Sequence, residues 1–276
     1  MTEKQKSVML ESTQKKIEDN FTKNIESLQL KLKDSDILDR SCDVWEGFGK
    51  PSVYFHQEAI KEATEGVFLG TEHLKMIYAV LVAWGMHRMG DTDTKLVSFD
   101  TFCDNFKGEI VKELHGYKGV TLKEAKTKDI ERMVELITTL VISESGSRIV
   151  CGSKTLHHIL PDLVPPIDRA YSIKFMKSSP KFNKKGSPTM NNAEEWYAKT
   201  FLERMQSFLK EGDCQSLTII KDFLKRKHSS DKSVFLTSVP KVLDNLIVQF
   251  VKDNYIEEPE KNKMNTMKEE IKGDAK

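Results

Sequence analysis

Apolar residues recur at helical intervals along most of this 276-residue chain. The pattern predicts helices over 8–33, from about 71 into the AWGMHRMG segment, over 121–144, 153–160, 192–210 and 214–228, and from about 238 onward. Gly85 and Gly90 are expected to break or cap the second helix. Thr121 and Glu124 have the spacing of a capping box at the start of the third. The predicted fold class is therefore all-α.

Four stretches lack this helical spacing. Residues 41–55 hold aromatic residues, glycines and a proline, so we expect an ordered loop there. A basic, polar loop is predicted at 178–192. Short strands are predicted at 66–69 and 95–99, which leaves the helical character of the chain unchanged.

These boundaries predict three parts: an N-terminal amphipathic helix (1–40), one unit of two interleaved helical lobes (41–255), and a tail (256–276). The tail is charged and nearly without apolar periodicity, so we expect it to be disordered. Hydrophobic residues make up 38% of the chain and charged residues 31%, as in soluble globular proteins. The balance of 43 Lys+Arg against 42 Asp+Glu does not favour a highly basic nucleic-acid coat protein, but it leaves room for a local basic face.

The four cysteines, Cys42, Cys103, Cys151 and Cys214, lie far apart and form no CxxC pair. They are typical of free thiols in a reducing cytosol, so a cytoplasmic location is expected. The MTEKQKSVML start carries no apolar signal region, and no apolar run is long enough to span a membrane. We expect no metal, because the adjacent His157 and His158 point about 100° apart on a helix.

The segment GSKTLHHILPDLVPPIDRAYSIKFM, residues 152–176, is the most informative part of the chain. Its first residues carry helical apolar spacing, three prolines then forbid a helix, and Asp168 precedes a second predicted helix. This helix, proline loop and aspartate resemble the active-site segment of the helix-hairpin-helix DNA glycosylases. In that superfamily an A-S-x-x-L-H type helix leads to a P-x-x-D turn whose aspartate is catalytic.

The resemblance implies a two-lobed helical fold with the active cleft between the lobes and Asp168 at its wall. The hairpin and catalytic loop would span about 142–176. The family's hairpin presents backbone N–H groups to a DNA phosphate through an apolar-Gly-apolar-Gly sequence. Here the corresponding stretch from Gly146 to Gly152 is longer and less regular.

Asp168 has two compatible interpretations. An aspartate before a helix is often only an N-cap. A carboxylate at that position also stays ionised, because it lies near the positive end of the helix dipole. Glycosidic cleavage passes through an oxocarbenium-like state, which a fixed anion beside the sugar would stabilise.

Lys154 is the second candidate catalytic residue. A lysine in the bifunctional members of the superfamily attacks the sugar and forms a Schiff base. If Ser153 occupies the family's A-S position, Lys154 falls later than that lysine. We therefore expect a phosphate contact or a solvated lysine here, and a monofunctional enzyme that uses water and leaves an abasic site.

A second constellation combines aromatic faces, polar edges and glycines, as a pocket for a flipped base requires. The candidate pocket residues are Trp45, Phe48, Tyr54, Phe55, His56, Trp84, His87 and Arg88. The alternative is that Trp84 and Phe55 belong to the core and that Arg88 caps a helix end.

Candidate contacts to the DNA backbone share a cationic or hydrogen-bonding side chain near the proposed cleft. They are Arg148, Ser153, His157, Arg169, Lys181, Lys184 and Lys185. The alternative for the two adjacent histidines is that one is packed and the other faces solvent. Charge runs, likewise, are usually only solvated faces.

The sequence thus predicts a monomeric DNA glycosylase that needs no cofactor, contacts no membrane and acts on a modified base in double-stranded DNA. Host repair and attack on modified foreign DNA remain equally open. One alternative is a non-catalytic helical protein that binds DNA or a protein partner. Another is a nuclease, suggested by Pro161-Asp162, although a PD…(D/E)xK site needs a following strand.

Overall fold

Helices account for nearly all the regular structure of the protein, which confirms the all-α prediction. A computed structural model describes residues 3–33, 36–42, 50–86, 95–145, 148–177, 194–211, 215–227 and 237–255. The helices of these ranges are α1 (Glu3–Leu32), α2 (Asp36–Cys42), α3 (Lys50–Thr64), α4 (Thr71–Leu81), α5 (Phe99–Asp104), α6 (Glu109–Gly116), α7 (Thr127–Thr139), α8 (Arg148–Ile159), α9 (Ser172–Lys177), α10 (Glu194–Lys210), α11 (Gln215–Lys227) and α12 (Val239–Tyr255). A π-helical turn, Val82–Met86, extends α4, and β1 (Lys95–Leu96) pairs antiparallel with β2 (Ser143–Ser145).

Two predictions for residues 41–69 are wrong. The loop predicted at 41–55 is helical from Lys50, because a proline at position 51 is tolerated in the first turn of α3. The strand predicted at 66–69 is a turn, in which Leu69 takes a positive φ of 55° and donates its N–H to the ring of His73. The candidate at 95–99 does contain β1.

The helix predicted at 121–144 is shorter than expected at both ends. Thr121 and Glu124 do hydrogen-bond to each other, but they close an isolated turn. The helix begins only at Thr127, where the Asp129 carboxylate accepts the N–H of Lys126 at 2.8 Å. It ends at Thr139, and its predicted last residues form β2 instead.

An aromatic cluster joins the N-terminal helix to the rest of the core. The ring of Phe21 on α1 meets Phe175 on α9 edge-on at 5.7 Å and stacks on Phe201 of α10 at 6.0 Å. Phe250 on α12 contacts Phe175 at 5.1 Å. These four side chains are almost fully buried, so α1 shares one core with the helices that follow it.

The helix α8 lies at the centre of this arrangement. All residues from 151 to 160 are buried. Gly152 allows α8 to approach α7 closely, since a Cβ placed there would lie 2.1 Å from the carbonyl oxygen of Ile137. The polar residues of α8 therefore have to find partners inside the protein.

Candidate functional site

Two side chains of α8 fix the loop that follows the helix. The Ser153 hydroxyl accepts the N–H of Ile167 at 3.0 Å. The Nδ1–H of His157 donates to the carbonyl of Val164 at 2.8 Å. Because both anchors lie on one helix, the proline-containing loop is held along α8 and Asp168 arrives opposite Lys154.

Asp168 forms an ion pair with Lys154 and caps the turn ahead of α9. Its Oδ2 lies 3.1 Å from Lys154 Nζ, and its Oδ1 accepts the N–H of Ala170 at 2.7 Å. The carboxylate side chain is 29% exposed, so solvent reaches it. Burial raises its pKa, but Lys154 and the N–H groups of Ala170 and Tyr171 outweigh that effect and hold the pKa below its usual value.

The indole of Trp84 lies beside this ion pair. Trp84 occupies the π-helical turn, where its φ of −84° and ψ of 15° depart from helical geometry and Gly85 follows with a φ of 77°. The Lys154 ammonium lies 5.4 Å from the ring centroid, and that of Lys241 lies 5.5 Å from it. Lys241 is fully buried and pairs with the Asp244 carboxylate at 2.5 Å.

Three buried histidines complete the surroundings of Trp84. The Nδ1–H of His158 donates to the carbonyl of Lys154 at 2.7 Å, which leaves its Nε2 to accept from His56 Nδ1 at 2.9 Å. The Nε2 of His56 then accepts from the Thr237 hydroxyl at 3.3 Å. His157 uses Nδ1, and its buried Nε2 has no hydrogen-bond partner among the described residues. The hydrogen bonds thus define one neutral tautomer for each ring.

Burial keeps these histidines neutral. Desolvation lowers the pKa of His56 and His157 well below the usual value, and neighbouring positive charge adds to the effect. It lowers the pKa of His158 to about 3, and that of the adjacent His73 to about 4. Burial likewise lowers the pKa of the Lys241 ammonium.

Of the predicted pocket residues, His56 and Trp84 lie together at the Lys154–Asp168 pair. Their rings stack at 5.7 Å with an interplanar angle of 28°, and His158 approaches the indole at 5.0 Å. The protein's own side chains thus surround Trp84 in the way the core alternative expects.

The other predicted pocket residues are more dispersed. Phe55 packs against the core from α3, while Tyr54 is 56% exposed beside it. Trp45, Phe48, His87 and Arg88 lie outside the described residues.

Two predicted DNA-backbone contacts are wrong. Ser153 and His157 are fully buried, and their hydrogen bonds hold the loop rather than face solvent. His158 is also fully buried, so the alternative of one packed and one solvent-facing histidine is wrong as well.

Among the remaining candidates, Arg148 and Arg169 are exposed. The backbone N–H of Arg148 bonds to the Glu194 carboxylate at 3.1 Å. Lys181, Lys184 and Lys185 lie outside the described residues.

The hairpin glycines also differ from expectation. Gly152 lies inside α8 rather than at a phosphate-binding turn, since the helix begins at Arg148 and the glycine serves its contact with α7. Gly146 lies outside the described residues. Helices α7 and α8 nonetheless pack directly on each other, and the short connection between them contains β2.

Sequence reasoning missed Lys241 and Asp244. A signal was present: a lysine and an aspartate three residues apart interrupt the apolar run VPKVLDNLIV at the start of α12. Charges within such a run face the core when they are paired with each other.

The nuclease alternative finds no support in the described ranges. Asp162 lies exposed in a turn, its carbonyl accepts the N–H of Leu122, and no strand follows it there. The described residues contain no group of three side chains able to hold a metal ion. None of the described helices is long and apolar enough to cross a membrane.

Comparisons with protein-family models, with curated proteins and with solved structures find no match to this chain.

Proposed function

We propose that the protein is a DNA glycosylase that hydrolyses the bond between a modified base and its deoxyribose. The observation that carries the proposal is the Asp168 carboxylate, which is ionised, partly exposed and fixed by three separate hydrogen-bond donors. This geometry agrees with the resemblance of residues 152–176 to the helix-hairpin-helix glycosylases.

A carboxylate held in this way suits the chemistry of glycosidic cleavage. As the bond to the base breaks, positive charge develops on the sugar ring. Asp168 would stabilise that charge at little reorganisation cost, because its position is set before substrate binds. Its side chain is 29% exposed, so water reaches the carboxylate, which would also orient an attacking water molecule.

Lys154 supports an electrostatic role better than a nucleophilic one. Its ammonium is engaged at once by Asp168 and by the face of Trp84, and the side chain is only 11% exposed. A Schiff base would require the amine to leave both contacts and lose its proton. We therefore propose a monofunctional enzyme that releases the base and leaves an abasic site.

Purified protein incubated with a panel of duplex oligonucleotides tests the proposal. Each duplex carries one deaminated, oxidised, alkylated or hydroxymethylated base. Base release is detected as strand cleavage after hot alkali, and omission of alkali reveals any lyase step. Asp168→Asn keeps much of the capping geometry without the charge, so it should bind the same duplex and release the base at least about a hundredfold more slowly.

The alternative is a non-catalytic protein that binds DNA or a protein partner. The enclosure of Trp84 favours this alternative, because its ring already contacts His56, His158 and two lysines rather than being open to a flipped base. Binding without base release across the whole panel, by wild-type protein and Asp168→Asn alike, would favour this alternative. Base release at equal rates by both would overturn the assignment of Asp168.

A further inference from the structure

Lys241 is the most unusually placed charge among the described residues. It lies in the first turn of α12, where Ser238 accepts its backbone N–H, and its side chain is fully buried. Lysine is rarely buried to this extent unless it is paired. Its position near the positive end of the helix also disfavours a cation.

The partner of Lys241 does not explain why a charge is there at all. Asp244 lies three residues further along the same helix, is itself buried and accepts from Lys241 at 2.5 Å. Replacing a buried ion pair by apolar residues of similar size is often neutral or stabilising, so such a pair is weak evidence for a role in stability. A function beyond folding accounts for it better.

Trp84 connects Lys241 to the candidate catalytic pair. The ammonium groups of Lys241 and Lys154 lie almost equally far from the indole, at 5.5 and 5.4 Å. An ammonium ion over an indole is attracted by the ring, and the attraction strengthens where water is excluded. The indole is on a π-helical turn, an irregularity that frequently occurs at functional sites.

We propose that Lys241, with Asp244, is a positioning residue that fixes the Trp84 ring and through it holds Lys154 in contact with Asp168. Lys241 supplies a fixed positive charge beside the ring, and Asp244 holds that charge in place. Loss of Lys241 would remove one of the groups that fix the indole beside His56 and His158, and the contact between the ring and Lys154 would weaken. The expected effect on catalysis rests on the proposed function. The expected effect on the positions of Trp84 and Lys154 does not depend on it.

Three variants separate positioning from packing. Lys241→Met removes the charge and leaves Asp244 unpaired. The double variant Lys241→Met/Asp244→Leu removes both charges and should fold nearly as stably as the wild type. The control variant Lys199→Met/Glu131→Gln removes a surface ion pair, whose lysine and glutamate side chains are 42% and 54% exposed.

The first readout needs no substrate. The folded proteins are treated briefly with an amine-acylating reagent, and mass spectrometry gives the labelling rate of each lysine. In the double variant we expect Lys154 to react several-fold faster than in the wild type, while other lysines keep their rates. The control variant should leave Lys154 unchanged. Wild-type labelling of Lys154 in a stable double variant would overturn the proposal.

The second readout uses a substrate from the duplex panel. We expect the double variant to lose up to about tenfold in kcat with little change in KM, because Lys154 is misplaced while the DNA contacts remain. Wild-type kcat in the double variant would also overturn the proposal. If the wild-type protein releases no base, the proposed function fails, and the labelling rates alone then decide the role of Lys241.

Discussion

Two clusters inside this protein differ in their chemistry. The phenylalanine cluster of Phe21, Phe175, Phe201 and Phe250 is wholly apolar and joins four helices. The polar cluster around Trp84 brings two lysines, two aspartates and three histidines together, most of them buried. Burial of the first stabilises the fold, whereas burial of charge in the second opposes it.

The difference agrees with the proposed site. A core that served folding alone would be built like the phenylalanine cluster, which needs no hydrogen-bond partners. The polar cluster needs hydrogen-bond or ion-pair partners for its buried groups, and its one partly exposed acid is Asp168. Changes in the two clusters should therefore affect stability and chemistry separately.

The largest expected effect lies in the apolar cluster. Phe21→Ala removes a ring that contacts Phe175 and Phe201, so we expect a loss of about 3–5 kcal/mol in the free energy of unfolding. Urea denaturation measures this loss. Leu30→Ala, on the same helix but 68% exposed, serves as the control and should change stability by less than about 0.5 kcal/mol. Equal losses in both variants would contradict the burial of α1 in the common core.

The next effect concerns the contact beneath the polar cluster. Gly152→Ala places a Cβ against the backbone of Ile137, so α7 and α8 must move apart, at a cost of about 1–3 kcal/mol. Gly116→Ala is the matched control, because a Cβ there meets nothing within 4 Å. Thermal melting of both variants checks the difference. A Gly152→Ala protein as stable as the control would show that α7 and α8 are not tightly packed at this contact.

A smaller effect is expected from Lys154→Gln. The substitution removes one contact of Asp168 but leaves its carboxylate and its N–H donors, so base release should slow by roughly tenfold, less than in Asp168→Asn. Borohydride added during turnover provides the decisive check. A covalent protein–DNA adduct that disappears in Lys154→Gln would show that the lysine is the nucleophile after all.

The last effect is the acid dependence of two buried histidines, His158 of the polar cluster and the adjacent His73. The pKa of His158 is lowered to about 3 and that of His73 to about 4, so both rings stay neutral in the folded state as the pH falls below 6.5. The unfolded chain takes up protons in that window, and stability falls as the pH decreases. Each ring should cost about 1.4 kcal/mol at pH 5.5.

Urea denaturation between pH 7.5 and 5.5 measures this slope. His73→Gln keeps a donor for the carbonyl of His158 but cannot titrate, so its slope should be smaller than that of the wild type by close to one proton. The Asp244 carboxyl, whose pKa burial raises, works in the opposite sense and moderates the total. A wild-type slope in His73→Gln would contradict the neutral, buried state of that ring.

Much of the helical framework was predictable, because its apolar spacing is regular. The predicted helices at 192–210 and 214–228 match α10 and α11 to within a few residues. Helix α3 was not predicted, since the lysine, proline and aromatic residues at its start have poor helical spacing. Tertiary packing decided that segment, and local pattern carries little information about it.

The candidate site was only partly predictable for a related reason. Asp168 and Lys154 lie in a recognisable segment. Trp84 and His56 were identified because aromatic residues, polar residues and glycines occur together around them. Ser153 and His157 were assigned to DNA because no sequence pattern indicates that α8 is buried on every side from Cys151 onward. Lys241 was overlooked because a lysine is normally a surface residue, and only its pairing across one helical turn overrides that expectation.

The anchoring of the proline loop by Ser153 and His157 links the position of Asp168, and with it the proposed catalysis, to the cooperative unfolding of α8. Both anchors exist only while the helix is intact, because Ser153 and His157 must lie one turn apart to reach Ile167 and Val164. When α8 opens locally, Asp168 becomes an ordinary solvated carboxylate even if the outer helices persist. The slowest-exchanging amides of α8 should therefore set the upper limit on the fraction of molecules able to react under any condition.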